Sequence, residues 1–96
     1  MLIVAGYLEV SFDVRDVYLS AVLEVTRLAR DAPGCLEFVQ AADPLMHDRV
    51  IVYERWESQE HLLAFRDTDP GPNVTPFPDI RGAEVMRYEI STVGLP

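Results

Sequence analysis

The chain contains 96 residues, carries a formal charge of −8 and is 49% hydrophobic. A chain of this length forms a single domain, which we assign to residues 1–96. A surface this acidic repels the phosphates of nucleic acids and of anionic membranes, so neither is expected as a partner. The hydrophobic share is high for so small a domain, and the excess predicts a face that is buried between subunits.

The expected compartment follows from three further features. Cys35 is the single cysteine, so no internal disulfide forms, as is typical of a reducing cytoplasm. Residues 2–10 are strand-like and lack the basic segment and the cleavage site of a signal peptide, so we expect no leader there. No apolar stretch approaches the roughly 20 residues that span a bilayer. The sequence therefore predicts a cytoplasmic protein.

The first half of the chain predicts a strand, a helix and a second strand. Val, Leu, Ile and Tyr are concentrated in residues 2–11, which is typical of a strand. From Val14 onward, apolar residues recur at spacings of three and four, which predicts a helix that Pro33 and Gly34 bring to an end. Residues 35–42 return to a strand-like composition.

The second half predicts the remaining elements and one long loop. Residues 49–56 predict the third strand, and Ser58 is suited to cap a helix that ends at residue 66 or 67. Residues 67–82 contain four prolines, which excludes a regular helix or a central strand and indicates a loop that covers a pocket or packs on a partner. Residues 83–93 predict the fourth strand, which completes the order βαββαβ.

The pattern of the strands predicts a homodimer. Strands one and three carry apolar residues on both faces, because alternate side chains point to opposite sides of a sheet. Two helices cover only one face of a four-stranded sheet, and a second copy paired sheet against sheet would bury the other. In strand one the apolar residues are Ile3, Ala5 and Tyr7 on one face and Leu2, Val4, Leu8 and Val10 on the other.

Three segments resemble motifs of the antibiotic biosynthesis monooxygenase family. Residues 32–38, APGCLEF, resemble its EPGCLxY turn between the first helix and the second strand. Residues 53–56, YERW, resemble its YExW at the end of the third strand, and residues 58–65, SQEHLLAF, resemble its sxeaLxaH second helix. The resemblance implies a ferredoxin-like α+β fold with a four-stranded antiparallel sheet, which pairs as a dimeric α+β barrel.

The sequence departs from this family pattern at several polar positions. Many members have a histidine where this chain has Phe65. Trp56 matches the tryptophan of the polyketide-oxidising branch, whereas Val52 and Leu62 replace the asparagine and tyrosine of that branch. Residues 66–96 contain no histidine, so the iron ligand of the haem-degrading branch is missing. We therefore expect no bound cofactor.

Glu54 and Trp56 are the sharpest candidates for chemistry, because they share one face of the third strand. The indole of Trp56 is suited to stack on an aromatic substrate, or else it anchors the second helix as a core residue. A carboxylate at Glu54 that faces an apolar pocket has a raised pKa and is a candidate general base. The alternative for Glu54 is an ion pair with Arg87 or another arginine, or a position at the open rim.

Three other residues complete the candidate site. His61 is the second candidate base, because imidazole is the side chain best suited to proton transfer in neutral solution, although a lone histidine on a small helix is more often a surface residue. Tyr7 is suited to donate a hydrogen bond to a substrate oxygen, or it is a half-buried residue of the sheet. Phe65 is expected to form an apolar wall. His47 is far from His61 in sequence, and no cluster has the spacing of metal ligands.

The sequence favours a cofactor-independent monooxygenase that acts on a small aromatic, quinol or polyketide-like substrate between the helices and the sheet. In this hypothesis Glu54 or His61 is the base. Trp56 and Phe65 form the walls of a dry pocket, and Tyr7 orients the substrate. Two alternatives stay open: a non-catalytic dimeric ligand-binding or accessory domain, and an isomerase or cyclase on the same scaffold.

Overall fold

The computed structural model describes residues 1–69, 71 and 77–96, and the predicted order of strands and helices is confirmed. The elements are β1 (Leu2–Val10), a short 3-10 helix (Phe12–Val14), α1 (Arg15–Asp31), β2 (Cys35–Ala42), β3 (Arg49–Trp56), α2 (Gln59–Arg66) and β4 (Ile80–Glu89). The predicted loop at residues 67–82 lies partly outside the described residues, so its role stays a prediction. In the described part of the chain, no helix has the length and apolar character needed to cross a membrane.

Among the described residues, the four strands form one antiparallel sheet in the order β2-β3-β1-β4. β1 lies between β3 and β4, so that Val4 is opposite Glu54 on one side and Arg87 on the other. Directly opposed residues in neighbouring strands point to the same face, and this register therefore decides which side chains lie together. The predicted ferredoxin-like α+β fold is confirmed.

The fourth strand differs from its predicted bounds, and its pairing with β1 explains the difference. β4 begins at Ile80 rather than at residue 83, because Val10 pairs with Ile80 after a shift in register. It ends at Glu89 rather than at residue 93. Glu89 is opposite Leu2, the first residue of β1, and one further backbone hydrogen bond, from Ile90 N–H to Met1 O at 3.0 Å, ends the pairing.

Local signals explain how the helices begin and end. The backbone N–H of Val14 donates to Ser11 O at 3.0 Å, which closes a 3-10 turn before α1. Gly34 follows α1 with a φ of +80°, a left-handed conformation that glycine adopts without strain. Ser58 caps α2 as predicted, because its hydroxyl accepts a hydrogen bond from the backbone N–H of His61 at 3.2 Å.

The two helices cover one face of the sheet, and the core lies between them and this face. Leu2 and Val4 of β1 pack with Trp56 of β3, under Ala29 of α1 and Leu62 of α2. A second cluster lies under the N-terminal half of α1, and its buried members are Val10, Tyr18, Val22 and Val50. The core face of β1 is therefore the face of Leu2, Val4 and Val10, one of the two apolar faces that the strand pattern predicts.

The opposite side of the sheet, which we call the open face, is also apolar. Register places Ala5 between Tyr53 and Met86, and Ile3 between Arg55 and Tyr88. Met86 is 62% exposed and Tyr88 is 50% exposed. The large or apolar side chains of the open face are Ile3, Ala5, Tyr7, Val39, Ile51, Tyr53, Met86 and Tyr88. Charged residues lie among them, because Arg55 pairs with Glu37 on this face and Tyr7 donates to Glu84. Both faces of the sheet therefore carry apolar residues, as the alternation in strands one and three predicts.

Candidate functional site

The candidate site lies at the end of β3, on the face of the sheet that the helices cover. Glu54 and Trp56 are two residues apart in this strand, so their side chains point to the same side. Trp56 is fully buried and Glu54 is 8% exposed. The indole Nε1–H of Trp56 donates a hydrogen bond to Glu54 Oε1 at 3.0 Å. The strand therefore presents a buried carboxylate whose hydrogen-bond donor is a neutral ring.

Burial raises the pKa of Glu54 above its ordinary value, because removal from water disfavours the charged form. The indole hydrogen bond and the positive charge of Arg66 act in the opposite direction on this pKa. Among the described residues, Glu54 forms no ion pair with Arg87: Val4 lies between them in the sheet, and Arg87 is exposed. A buried carboxylate with a raised pKa is suited to accept a proton near neutral pH.

Aromatic side chains surround the Glu54–Trp56 pair. Phe65 of α2 packs on Trp56, with ring centroids 5.5 Å apart and ring planes inclined by 32°. Phe65 also meets Phe38 of β2 edge-on, at a centroid distance of 6.4 Å and an angle of 69°. Phe38 is opposite Glu54 in the pairing of β2 with β3. Tilted and edge-on pairs are favourable ring geometries, so Phe65 closes the site on the side of α2.

A small apolar cavity adjoins Phe65 between the helices. It has a volume of about 200 Å³, and its lining residues are Val25, Leu28, Phe65, Arg66 and Thr68. Trp56 is not part of the lining, whereas Phe65 contacts both the cavity and Trp56. Two wider depressions, of about 480 Å³ between α1 and β2 and about 520 Å³ on the open face, contain neither Glu54 nor the rings around it.

His61, the second predicted base, lies in the first turn of α2 and is engaged in local structure. Its Nδ1 is 2.6 Å from Ser58 Oγ. Its ring lies against Gly34, where any Cβ atom would clash with the imidazole. His61 therefore connects α2 to the turn between α1 and β2. In residues 1–69, 71 and 77–96, no three His, Cys, Asp or Glu side chains are arranged to hold a metal ion.

Tyr7 lies on the open face, on the opposite side of the sheet from Trp56. Its hydroxyl donates to Glu84 Oε2 at 2.5 Å, and the guanidinium carbon of Arg49 is 3.7 Å from its ring centroid. The hydrogen bond to Glu84 raises the pKa of Tyr7. Of the predicted site residues, Glu54, Trp56 and Phe65 come together, while His61 and Tyr7 lie elsewhere in the fold.

A family model described as antibiotic biosynthesis monooxygenase matches residues 1–70. The chain belongs to the antibiotic biosynthesis monooxygenase family. The matched segment runs from β1 to beyond the end of α2, and it therefore includes Glu54, Trp56 and Phe65. The resemblance of the three sequence motifs to this family is thereby confirmed. No protein of curated function matches the sequence significantly.

Solved structures share the fold of this antibiotic biosynthesis monooxygenase family member. A candidate monooxygenase of the family from Deinococcus radiodurans has a TM-score of 0.82 at 18% identity, over 100% of this chain and 98% of that one. Another from Chloroflexus aurantiacus has a TM-score of 0.72 at 22% identity, over 99% and 98%. The heme-degrader MhuD from Mycobacterium tuberculosis, with two hemes bound, has a TM-score of 0.69 at 21% identity, over 98% and 100%.

The donor set of this family member does not fit haem iron. Residues 66–96 contain no histidine, and the ring of His61 packs against Gly34 in the turn between α1 and β2. The group that the structure does offer is the buried carboxylate of Glu54 among aromatic rings.

The sequence analysis missed two contributors to the site. Phe38 is beside Glu54 because of the register between β2 and β3, and counting back from the loop at residues 43–48 would have found it. The positive charge of Arg66 lowers the pKa of Glu54, because α2 runs over the sheet in a direction that brings its last residue near this carboxylate. No local pattern specifies that direction, so this contribution required the structure.

Proposed function

We propose that this family member is a cofactor-independent monooxygenase whose substrate is a small, flat, electron-rich phenol, quinol or polyketide-like aromatic. The observation that carries the proposal is the carboxylate of Glu54, which is buried among aromatic rings and has a neutral indole as its donor. Burial raises the pKa of this group, which makes it a stronger base than an ordinary carboxylate. The substrate lies between α1, α2 and the sheet.

The proposed reaction needs little from the protein beyond this base. Glu54 accepts the proton of the substrate hydroxyl, and the resulting anion gives an electron to oxygen directly. With an anthrone, which reacts as its enol, the methylene carbon becomes a carbonyl. One oxygen atom enters the product and the other leaves as water, and the substrate supplies all the electrons. The apolar rings of Trp56, Phe65 and Phe38 keep water from the anion.

His61 and Tyr7 have other roles in this proposal. Because His61 is bonded to Ser58 and packs on Gly34, it positions α2 and does not act as the base. Tyr7 belongs to the open face, where its hydroxyl is already bonded to Glu84. Glu54 is therefore the single base that we assign.

The proposal includes a homodimer through the open face. Two features support it: the row of exposed apolar residues that includes Met86 and Tyr88, and a hydrophobic share of 49% in a chain of 96 residues. Contiguous apolar patches of this kind on soluble proteins mark interaction surfaces. A second copy related by a twofold axis presents the same apolar face and is the simplest cover for it.

Oxygen uptake tests the catalytic proposal. Wild-type protein is expected to consume oxygen with at least one member of a panel of quinols and anthrones. Glu54→Gln keeps an acceptor for the indole and removes the base, so its turnover should fall by about 100-fold or more. The matched control is Glu57→Gln, which makes the same change at an exposed neighbour and should keep wild-type turnover. Equal rates for both variants would remove Glu54 from the mechanism.

A second candidate function is a non-catalytic, dimeric ligand-binding or accessory domain. The observation that favours it is the closed state of the site: Trp56 is fully buried, Leu62 packs in the same core cluster, and apolar Val52 is buried on the same face of β3. Stabilisation of the protein by aromatic compounds in a thermal-shift screen, without any oxygen uptake across the panel, would support this function over catalysis.

A further inference from the structure

The largest aromatic surface near Glu54 belongs to Trp56, which is fully buried. A substrate ring has no access to this indole while the observed packing persists. Leu2, Ala29 and Leu62 bury it within the core, and the partly buried Phe65 packs on it with ring planes inclined by 32° at a centroid distance of 5.5 Å. An aromatic substrate would adopt a similar offset geometry on an indole. Phe65 therefore occupies the position that the substrate requires.

Space for a displaced ring lies next to Phe65. The cavity between the helices has a volume of about 200 Å³, and most of its lining is apolar. An apolar cavity of about 150 Å³ is sufficient to bind benzene. The cavity is therefore large enough to receive one aromatic ring.

The position of Phe65 in α2 allows such a movement. Its side chain is only half-buried, and it lies in the last turn of the eight-residue helix, followed by exposed Arg66 and Asp67. A change of rotamer moves the ring from Trp56 towards the cavity that it already lines. The buried residues of the sheet need not move in this step.

We propose that Phe65 is the specificity-determining residue of the pocket, a displaceable ring that a phenol of one or two rings replaces on the face of Trp56. This inference deepens the proposed function and rests on it for the identity of the ligand. Arg66 lines the same cavity, and its positive charge favours a ring with an acidic hydroxyl.

Trp56 is the single tryptophan of the chain, so its fluorescence reports directly on this step. Replacement of Phe65 by alanine should expose the indole and increase the acrylamide quenching constant several-fold. Leu63→Ala is the matched control, because Leu63 is an exposed apolar residue of the same helix. This control should leave quenching at the wild-type level.

Binding of phenol and 2-naphthol, measured by calorimetry without oxygen, tests the displacement itself. If the open state is populated at about 1–10%, removal of the ring should tighten binding by roughly 10- to 100-fold in Phe65→Ala. Saturating phenol should also restore much of the melting temperature that this variant loses, because the ligand fills the space of the missing side chain. Leu63→Ala should show neither effect.

The inference is overturned if folded Phe65→Ala binds both phenols with wild-type affinity and leaves Trp56 unquenched. If this variant does not fold, Phe65→Leu serves in the same assays. Titration of the wild-type protein needs no substitution: 2-naphthol that binds without changing the emission of Trp56 also overturns the inference. Because no turnover is measured, failure here leaves the oxygen-uptake result intact, and a lack of oxygen uptake leaves the binding result intact.

Discussion

The carboxylate of Glu54 links protonation to the stability of the fold. Its pKa in the folded protein is raised by burial, so the folded state holds the proton more tightly than the unfolded chain does. Stability from this group is therefore greatest at acidic pH, and it falls as the pH rises from the ordinary carboxyl pKa through the raised value. Above that window the folded protein carries a buried charge that is stabilised mainly by one indole hydrogen bond.

Substitution of Glu54 by glutamine should therefore stabilise the protein at pH 7, by roughly 1 kcal/mol, and much less at pH 4. The glutamine oxygen still accepts the hydrogen bond of Trp56. The difference between the stabilisation at pH 7 and at pH 4 therefore measures the free-energy cost of burying the negative charge. Thermal unfolding of wild type, Glu54→Gln and the exposed control Glu57→Gln at both pH values measures it. A gain of the same size at both pH values would contradict the assigned environment of Glu54.

The sequence predicts part of this site because two of its residues lie in one strand, where side chains alternate between the faces with a period of two. Glu54 and Trp56 share a face since strand residues alternate, and the bounds of β3 match the prediction. The position of Phe65 over Trp56 depends on how α2 is placed on the sheet, which no local pattern encodes. Tyr7 lies outside the site because alternate residues of β1 point to opposite faces, and Tyr7 shares the open face with Ile3 and Ala5.

Among the elements, the turn between α1 and β2 has a specific contact with α2. Gly34 has a φ of +80°, and any Cβ atom there would overlap the ring of His61. The backbone N–H of Glu57 also donates to Gly34 O at 2.8 Å, which holds the end of β3 to the same turn. The glycine thus allows the two connections to pack closely and fixes where α2 begins.

Replacement of Gly34 by alanine should cost about 2–3 kcal/mol of unfolding free energy, from the left-handed φ and from the clash with His61. In a His61→Ala background the clash is relieved, and the cost should fall to about 1 kcal/mol. Urea unfolding of the four variants of this cycle provides the measurement. Gly94→Ala is the control, because no atom lies within 4 Å of its added Cβ. Additive costs would show that Gly34 and His61 do not interact.

The elements differ in how well their bounds follow from the sequence. β2 and β3 begin and end as predicted, because Pro33-Gly34 and the loop at residues 43–48 limit them locally. β4 has no such local signal. Residues 90–93 have a strand-like composition, yet the strand ends at Glu89 because that residue pairs with the first residue of β1. Pairing across the sheet, which is a non-local property, sets these bounds.

At the scale of the whole molecule, the open face is the feature that a single copy does not explain. Its residues lie on the side opposite the helices, and Met86, in the edge strand β4, is 62% exposed. The chain also carries a formal charge of −8, so two copies associate only if buried apolar area outweighs their repulsion. The proposed dimer therefore depends on the apolar area of this face, which already carries Glu37 and Glu84.

Met86→Glu should weaken the proposed dimer on the order of 100-fold, because each copy then buries an unpaired carboxylate in the apolar contact. In an isolated subunit the same change should be nearly neutral, since Met86 is exposed there. The matched control is Leu23→Glu, which makes an equivalent substitution on α1, where Leu23 is 54% exposed. Both variants carry the same net charge, so general repulsion alone affects them equally.

Sedimentation at micromolar concentration decides between these outcomes. Wild type and Leu23→Glu should sediment at twice the subunit mass of 10.9 kDa, and Met86→Glu should sediment as single folded subunits. If wild-type protein is already a well-folded single subunit, the open face has no second copy as its partner. If Met86→Glu and Leu23→Glu dissociate to the same extent, the contact does not lie on the open face and acidic repulsion alone explains the loss.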